Sequence, residues 1–199
     1  DIEETIIDKT VGNVTIEGNA KIENAKSGSG GSGIGGGVIG IGNVIIRGNA
    51  QIGNATGGDE GAGIGGGALG TGDVTIEGNV TIENAKGGAG AAGIGGGSDA
   101  KTKDDGTGNR IVIRSNKDGS PTINATGGVP EVDNDGNAIS AGGAAIGSGA
   151  SLPDKDGDVA PEADADITIE GKVTIDAKAG EGNAAIGANN TEQIFSGLQ

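Results

Sequence analysis

Val14-Thr15-Ile16-Glu17-Gly18-Asn19 returns as Val44-Ile45-Ile46-Arg47-Gly48-Asn49 and again as Val74-Thr75-Ile76-Glu77-Gly78-Asn79, thirty residues on each time. Ile22, Ile52 and Ile82 keep the same offset. So do Ile34, Ile64 and Ile94, each inside Gly-Ile-Gly-Gly-Gly. Self-similarity at a fixed period of this length marks a stacked repeat. A fourth copy runs through Ile111-Val112-Ile113-Arg114, Thr122-Ile123-Asn124-Ala125 and Ala145-Ile146-Gly147. A fifth runs through Ile167-Thr168-Ile169-Glu170-Gly171, Thr174-Ile175-Asp176-Ala177 and Ala185-Ile186-Gly187. Thr5-Ile6-Ile7 reads as a degenerate half-copy, and Ile194-Phe195 and Leu198 as a closing segment.

Each copy holds two short strands and a glycine-rich arm. Val14, Ile16, Ala20, Ile22 and Asn24 share one parity, and Thr15, Glu17, Lys21 and Glu23 the other. Alternation turns the first set inward and the second outward. One copy has too few apolar side chains for a core of its own and must stack on its neighbours. The expectation is an all-β fold, a single-stranded parallel β-helix (β-solenoid) of about five coils at roughly 4.8 Å per rung. One domain fills residues 1–199. Residues 1–11 are read as an N-terminal cap, 12–97 as three regular coils, 98–187 as two coils with acidic loop insertions, and 188–199 as a C-terminal cap. A row of antiparallel hairpins turning at Glu-Gly-Asn is the competing fold. It gives the glycine arms no reason to recur.

Composition agrees with a thin core. The chain has 46 glycines, one aromatic residue (Phe195), and no Cys, Met, His, Trp or Tyr. Four prolines and the lack of a strict Gly-X-Y period exclude collagen. The net charge of -15 repels nucleic acid and anionic lipid, so no nucleic-acid partner is expected. No apolar run approaches the ~18 residues of a membrane span, so no membrane insertion is expected either.

Two ladders support stacking in sequence order. The position after the first strand reads Glu17, Arg47, Glu77, Arg114, Glu170, so its charges alternate in sign through five copies. Like charges on adjacent rungs would repel. The second ladder is Asn24, Asn54, Asn84 and Asn124, with Asp176 as fifth member. It is expected to face inward and to hydrogen-bond along the axis. Copies four and five lack the residue before this position.

The fourth copy is interrupted by Ser115–Pro121, Val129–Asn137 and Ser148–Asp166, polar loops on a regular scaffold, where function usually sits. Asp133-Asn134-Asp135-Gly136-Asn137 and Asp154-Lys155-Asp156-Gly157-Asp158 place oxygen side chains at alternate positions. Asp133, Asp135, Asp154, Asp156 and Asp158 are therefore candidate calcium ligands. The EF-hand spacing fails, and Asp-Gly is also a common turn signal, so plain turns are the competing reading.

Catalysis has little to work with. Without His or Cys there is no Ser–His or Cys–His pair. Paired carboxylates remain formally open, but the acidic residues are spread over outer faces and loops. Gly31-Ser32-Gly33-Ile34-Gly35-Gly36 matches G-x-G-x-x-G, yet it recurs with the repeat and no helix pattern follows it. No enzyme activity and no catalytic residue is expected.

The stretches VTIEGNVTIENAKGGAGAAGIGGG (Val74–Gly97) and GNAQIGNATGGDEGAGIGGG (Gly48–Gly67) resemble glycine-rich repeats of large surface proteins from Gram-positive bacteria. More distantly, they resemble secreted parallel β-helix carbohydrate-binding domains. The resemblance covers residues 12–97 closely and 111–187 loosely. It implies a right-handed helix, an extracellular or cell-surface setting in a bacterium, and a structural or adhesive role. Its alternative is a carbohydrate-binding domain, with calcium as a candidate cofactor and a polysaccharide or host surface glycan as partner. An anionic polysaccharide would then need cations to bridge it to this acidic surface.

Overall fold

The computed structural model describes residues 11–100, 109–136, 140–151 and 164–188. Every coil in it contributes three strands and no helix. The first coil has β1 (Val11–Ile16), β2 (Lys21–Lys26) and β3 (Ile34–Gly35). The second has β4 (Ile41–Gly48), β5 (Gln51–Thr56) and β6 (Ile64–Gly65). The third has β7 (Gly72–Gly78), β8 (Thr81–Lys86) and β9 (Ile94–Gly95). The fourth has β10 (Asn109–Arg114), β11 (Thr122–Thr126) and β12 (Ile146–Gly147). The fifth has β13 (Ala165–Glu170), β14 (Thr174–Lys178) and β15 (Ile186–Gly187).

Strands pair between coils. The three parallel sheets each have five strands, in the orders β1-β4-β7-β10-β13, β2-β5-β8-β11-β14 and β3-β6-β9-β12-β15. Val14 lies opposite Val44 and Val44 opposite Val74, the pairing that the repeat predicts. The fold is thus a β-solenoid. The hairpin alternative is excluded, because the two strands within a coil lie in different sheets.

Isoleucine ladders fill the interior. Ile46, Ile76 and Ile113 form one, Ile52, Ile82 and Ile123 a second, and Ile64, Ile94 and Ile146 a third; all nine are fully buried. Each ladder stacks identical branched side chains one rung apart, which suits the pleated surface of a strand. Burial falls off in the last coil, where Ile169 is 41% and Ile186 43% exposed.

The glycine arm is dictated by closeness as well as by turning. Gly65 has φ +128°, and a Cβ there would sit 2.1 Å from the Gly95 carbonyl oxygen. Gly42 has no unusual φ, yet its Cβ would come within 1.9 Å of the Gly65 carbonyl oxygen. The strand of the third side is one Ile-Gly pair per coil, and where glycines of neighbouring coils face each other the backbones meet without a spacer. At the position of Gly72 in the preceding coil, coil four has Asn109. This residue is buried, and its Oδ1 accepts the Gly72 N–H at 2.7 Å.

The insertions in coil four are shorter than the sequence suggests. Val129 still continues the wall of the preceding coil, since the Gly90 N–H donates to its carbonyl. Ser148 and Ala150 are buried and extend the glycine arm, with the Asp99 N–H donating to the Ala150 carbonyl. Ala165 and Asp166 already belong to β13, in register with Asn109 and Arg110. Backbone pairing reaches further into these segments than the apolar pattern does, because it places no demand on side-chain type. The two expected caps lie almost entirely outside the described residues.

Candidate functional site

The charge ladder stands in register, and its contacts are made two by two. Arg47 pairs across the rung with Glu77 in backbone register, but its guanidinium turns back to Glu17, with Nε 2.8 Å from Oε2. Arg114 turns back in the same way to Glu77, at 2.9 Å from Nε. The two pairs are Glu17–Arg47 and Glu77–Arg114, and Glu170 lies next to Arg114 in register. Glu17 and both arginines are about half exposed, so each pair contributes at most about 1 kcal/mol.

The asparagine ladder forms, but on the outside. Asn54 Nδ2 donates to Asn24 Oδ1 at 2.9 Å, and Asn84 Nδ2 to Asn54 Oδ1 at 3.2 Å. Asn24, Asn54 and Asn124 are exposed and Asn84 is partly so. The expected inward orientation is therefore corrected. Glu23 and Asn24 both face solvent, and Ala25 restores the inward set, with its counterparts Ala55, Ala85 and Ala125 buried. Alternation fails here because the strand bends, and two successive residues fall on the convex side. Coil four lacks one residue, so alternation is regular there and the register shifts between Ile123 and Ala125. Asn124 accordingly donates to the Glu83 carbonyl at 3.1 Å instead of to Asn84.

The sequence reading missed a second asparagine ladder. Asn49 donates to Asn19 at 3.0 Å, and Asn79 to Asn49 at 3.2 Å, along the Gly-Asn corner. The signal was present in the repeat itself.

Of the candidate calcium ligands, Asp154, Asp156 and Asp158 lie outside the described residues. Asp133 and Asp135 sit in one exposed turn. The Asp135 N–H donates to Asp133 Oδ1 at 2.9 Å, and the Gly136 N–H to the Asp133 carbonyl at 3.0 Å. That is an aspartate-capped turn, the competing reading for this segment. Among the described residues, no group of three acidic side chains is placed to hold a metal ion.

Carboxylates also collect near the end of the third coil's arm. The buried Ser98 hydroxyl donates to Glu131 Oε1 at 2.7 Å. Burial raises the Glu131 pKa above the ordinary carboxylate value; the Ser98 hydrogen bond opposes this, and the charges of Glu60 and Asp99 add to it. Glu60 and Asp99 both have positive φ, +64° and +55°, a conformation that side chains other than glycine seldom take.

A surface concavity lies elsewhere. A cleft of about 450 Å³ follows the corner between the second and third sheets in coils one to three. Lys26, Thr56 and Lys86 form one wall, and Ser29, Asp59 and Ala89 the other. No helix among the described residues is long and apolar enough to cross a membrane. Comparison with known proteins finds no matching family model, no matching curated protein and no matching solved structure.

Proposed function

We infer that this domain is a non-catalytic structural module, a stiff acidic spacer or display scaffold of an extracellular or cell-surface protein. The observation that carries the reading is the parallel pairing of all three sheets through five coils, which continues past the register shift between Ile123 and Ala125. Such an array ties each rung to the next along its whole length, which resists bending and local opening. The outer ladders are spent on this purpose: arginine meets glutamate, and asparagine meets asparagine, one coil away. The extracellular setting draws on the likeness of the repeats to bacterial surface proteins.

Two measurements test it. Antibody against the domain should label intact source cells, and brief protease treatment of those cells should remove the label. Labelling only after lysis would end the surface assignment. Under single-molecule stretching, coils should yield in discrete steps, each releasing about 100 Å of chain. Smooth extension at negligible force would end the spacer assignment.

A further inference from the structure

The strand register lines up a row two residues beyond the ladder of Asn24, Asn54, Asn84, Asn124 and Asp176. Lys26 lies opposite Thr56 and Thr56 opposite Lys86; Lys86 lies opposite Thr126 and Thr126 opposite Lys178. Lysine and threonine therefore alternate through all five coils. Backbone bonds hold the row to its spacing: the N–H of Ser27 donates to Thr56 O, of Gly57 to Lys86 O, of Gly87 to Thr126 O, and of Gly127 to Lys178 O. Successive lysines are two rungs apart, about 9.6 Å. Among the described residues none of these three ammonium groups has an ion-pair partner, in a chain of net charge -15.

The first three members of this row form one wall of the corner cleft. Its floor in the second and third coils is Gly57, Gly58, Gly87 and Gly88, for steric reasons. A Cβ on Gly58 would lie 1.8 Å from the Gly28 carbonyl oxygen, and one on Gly88 1.7 Å from the Gly58 carbonyl oxygen. Ser27, at the same position in the first coil, carries a side chain, and its hydroxyl is held between the Gly31 carbonyl and the Gly58 N–H, so the cleft stays open along the solenoid axis. On the opposite wall, Asp59 belongs to the same coil as Thr56, between the two lysine rungs. Ala89 and the exposed Val129 give that wall an apolar end.

We propose that this trough binds a linear anionic polysaccharide lying parallel to the solenoid axis, with an acid group on alternate sugars. Two rungs are close to the length of two extended hexoses. Acid groups two sugars apart then meet Lys26 and Lys86. The neutral sugar between them meets Thr56 and the Asp59 carboxylate, which accepts a sugar hydroxyl. Asp59 would repel a charge at that place, so it selects against a polymer charged on every sugar. The lysines supply the positive charge for which bridging cations were expected from the sequence. The inference adds a ligand to the spacer and does not depend on the spacer assignment.

Calorimetric titration in EDTA-containing buffer tests it with three probes: hyaluronan oligosaccharide (one carboxylate per disaccharide), polygalacturonate (one per sugar) and dextran (none). Hyaluronan should bind, polygalacturonate more weakly and dextran not at all. The double variant Lys26→Gln/Lys86→Gln should weaken hyaluronan binding about tenfold with an unchanged thermal midpoint. Lys21→Gln/Lys172→Gln, with the same charge change off the row, should leave it unaltered. Absence of hyaluronan binding, equal binding of dextran, tighter binding of polygalacturonate, or equal loss in both variants would each overturn the proposal.

Discussion

Replacing Ile76 by alanine tests the packing on which the rod depends. Ile76 is fully buried, with Ile46 and Ile113 directly before and after it in the ladder. Loss of three carbons at about 0.8 kcal/mol each removes about 2.4 kcal/mol of transfer free energy. A cavity term adds to this, because the space cannot close. The rungs are held about 4.8 Å apart by backbone bonds, so Ile46 and Ile113 cannot move together. The total should approach 4 kcal/mol, in the upper part of the range for Ile→Ala. Ile169 occupies the same ladder in the last coil but is 41% exposed. Its replacement loses about three-fifths of the transfer term and leaves no closed cavity, so about 1.5 kcal/mol is expected. Urea titration followed by far-ultraviolet circular dichroism reads both; the chain has no Trp or Tyr for fluorescence. Because repeat arrays can unfold in parts, hydrogen exchange should show protection lost first around coil three in the Ile76 variant. Equal costs for the two variants, or less than about 1 kcal/mol for Ile76→Ala, would refute a core packed continuously through the coils.

Gly65→Ala should destabilise by about 3 kcal/mol or more in the same titration, through a backbone clash and a positive φ; Gly37→Ala, which meets nothing within 4 Å, should be nearly silent. Arg47→Glu places three carboxylates on successive rungs and should cost about 1 kcal/mol, a cost that shrinks in high salt. Glu131 has a folded pKa raised above its unfolded value, chiefly by burial. Its contribution to stability is therefore full below the unfolded pKa and lost as pH rises through the folded one. Glu131→Gln should raise the thermal midpoint at pH 7, and the gain should vanish on acidification below the unfolded carboxylate value. If the Asp133 turn is held by its carboxylate alone, Asp133→Ala should lower the midpoint equally in calcium and in EDTA. A drop seen only in calcium would restore the metal reading of that segment.

The thirty-residue period by itself determined the parallel fold, the stacking order, and the side facing inward at Val14, Ile16 and Ile22. These follow from alternation and from the need to bury identical positions together, and both are properties of the chain. The glycine arm was also legible as a place of close approach. The orientation of Asn24 was not. Whether Glu23 and Asn24 both turn outward depends on where the coil bends, and no residue type there announces the bend. The division of the charge ladder into Glu17–Arg47 and Glu77–Arg114 was equally hidden, since the side-chain path of each arginine chooses between two opposite charges at similar distance. The lysine–threonine row was legible in the repeat, but its place along the corner cleft was decided by the tertiary structure. Each member stands two residues after the ladder Asn24, Asn54, Asn84, Asn124 and Asp176, so the row persists although the insertions around coil four break the thirty-residue step, and the backbone pairing between coils brings it into one line.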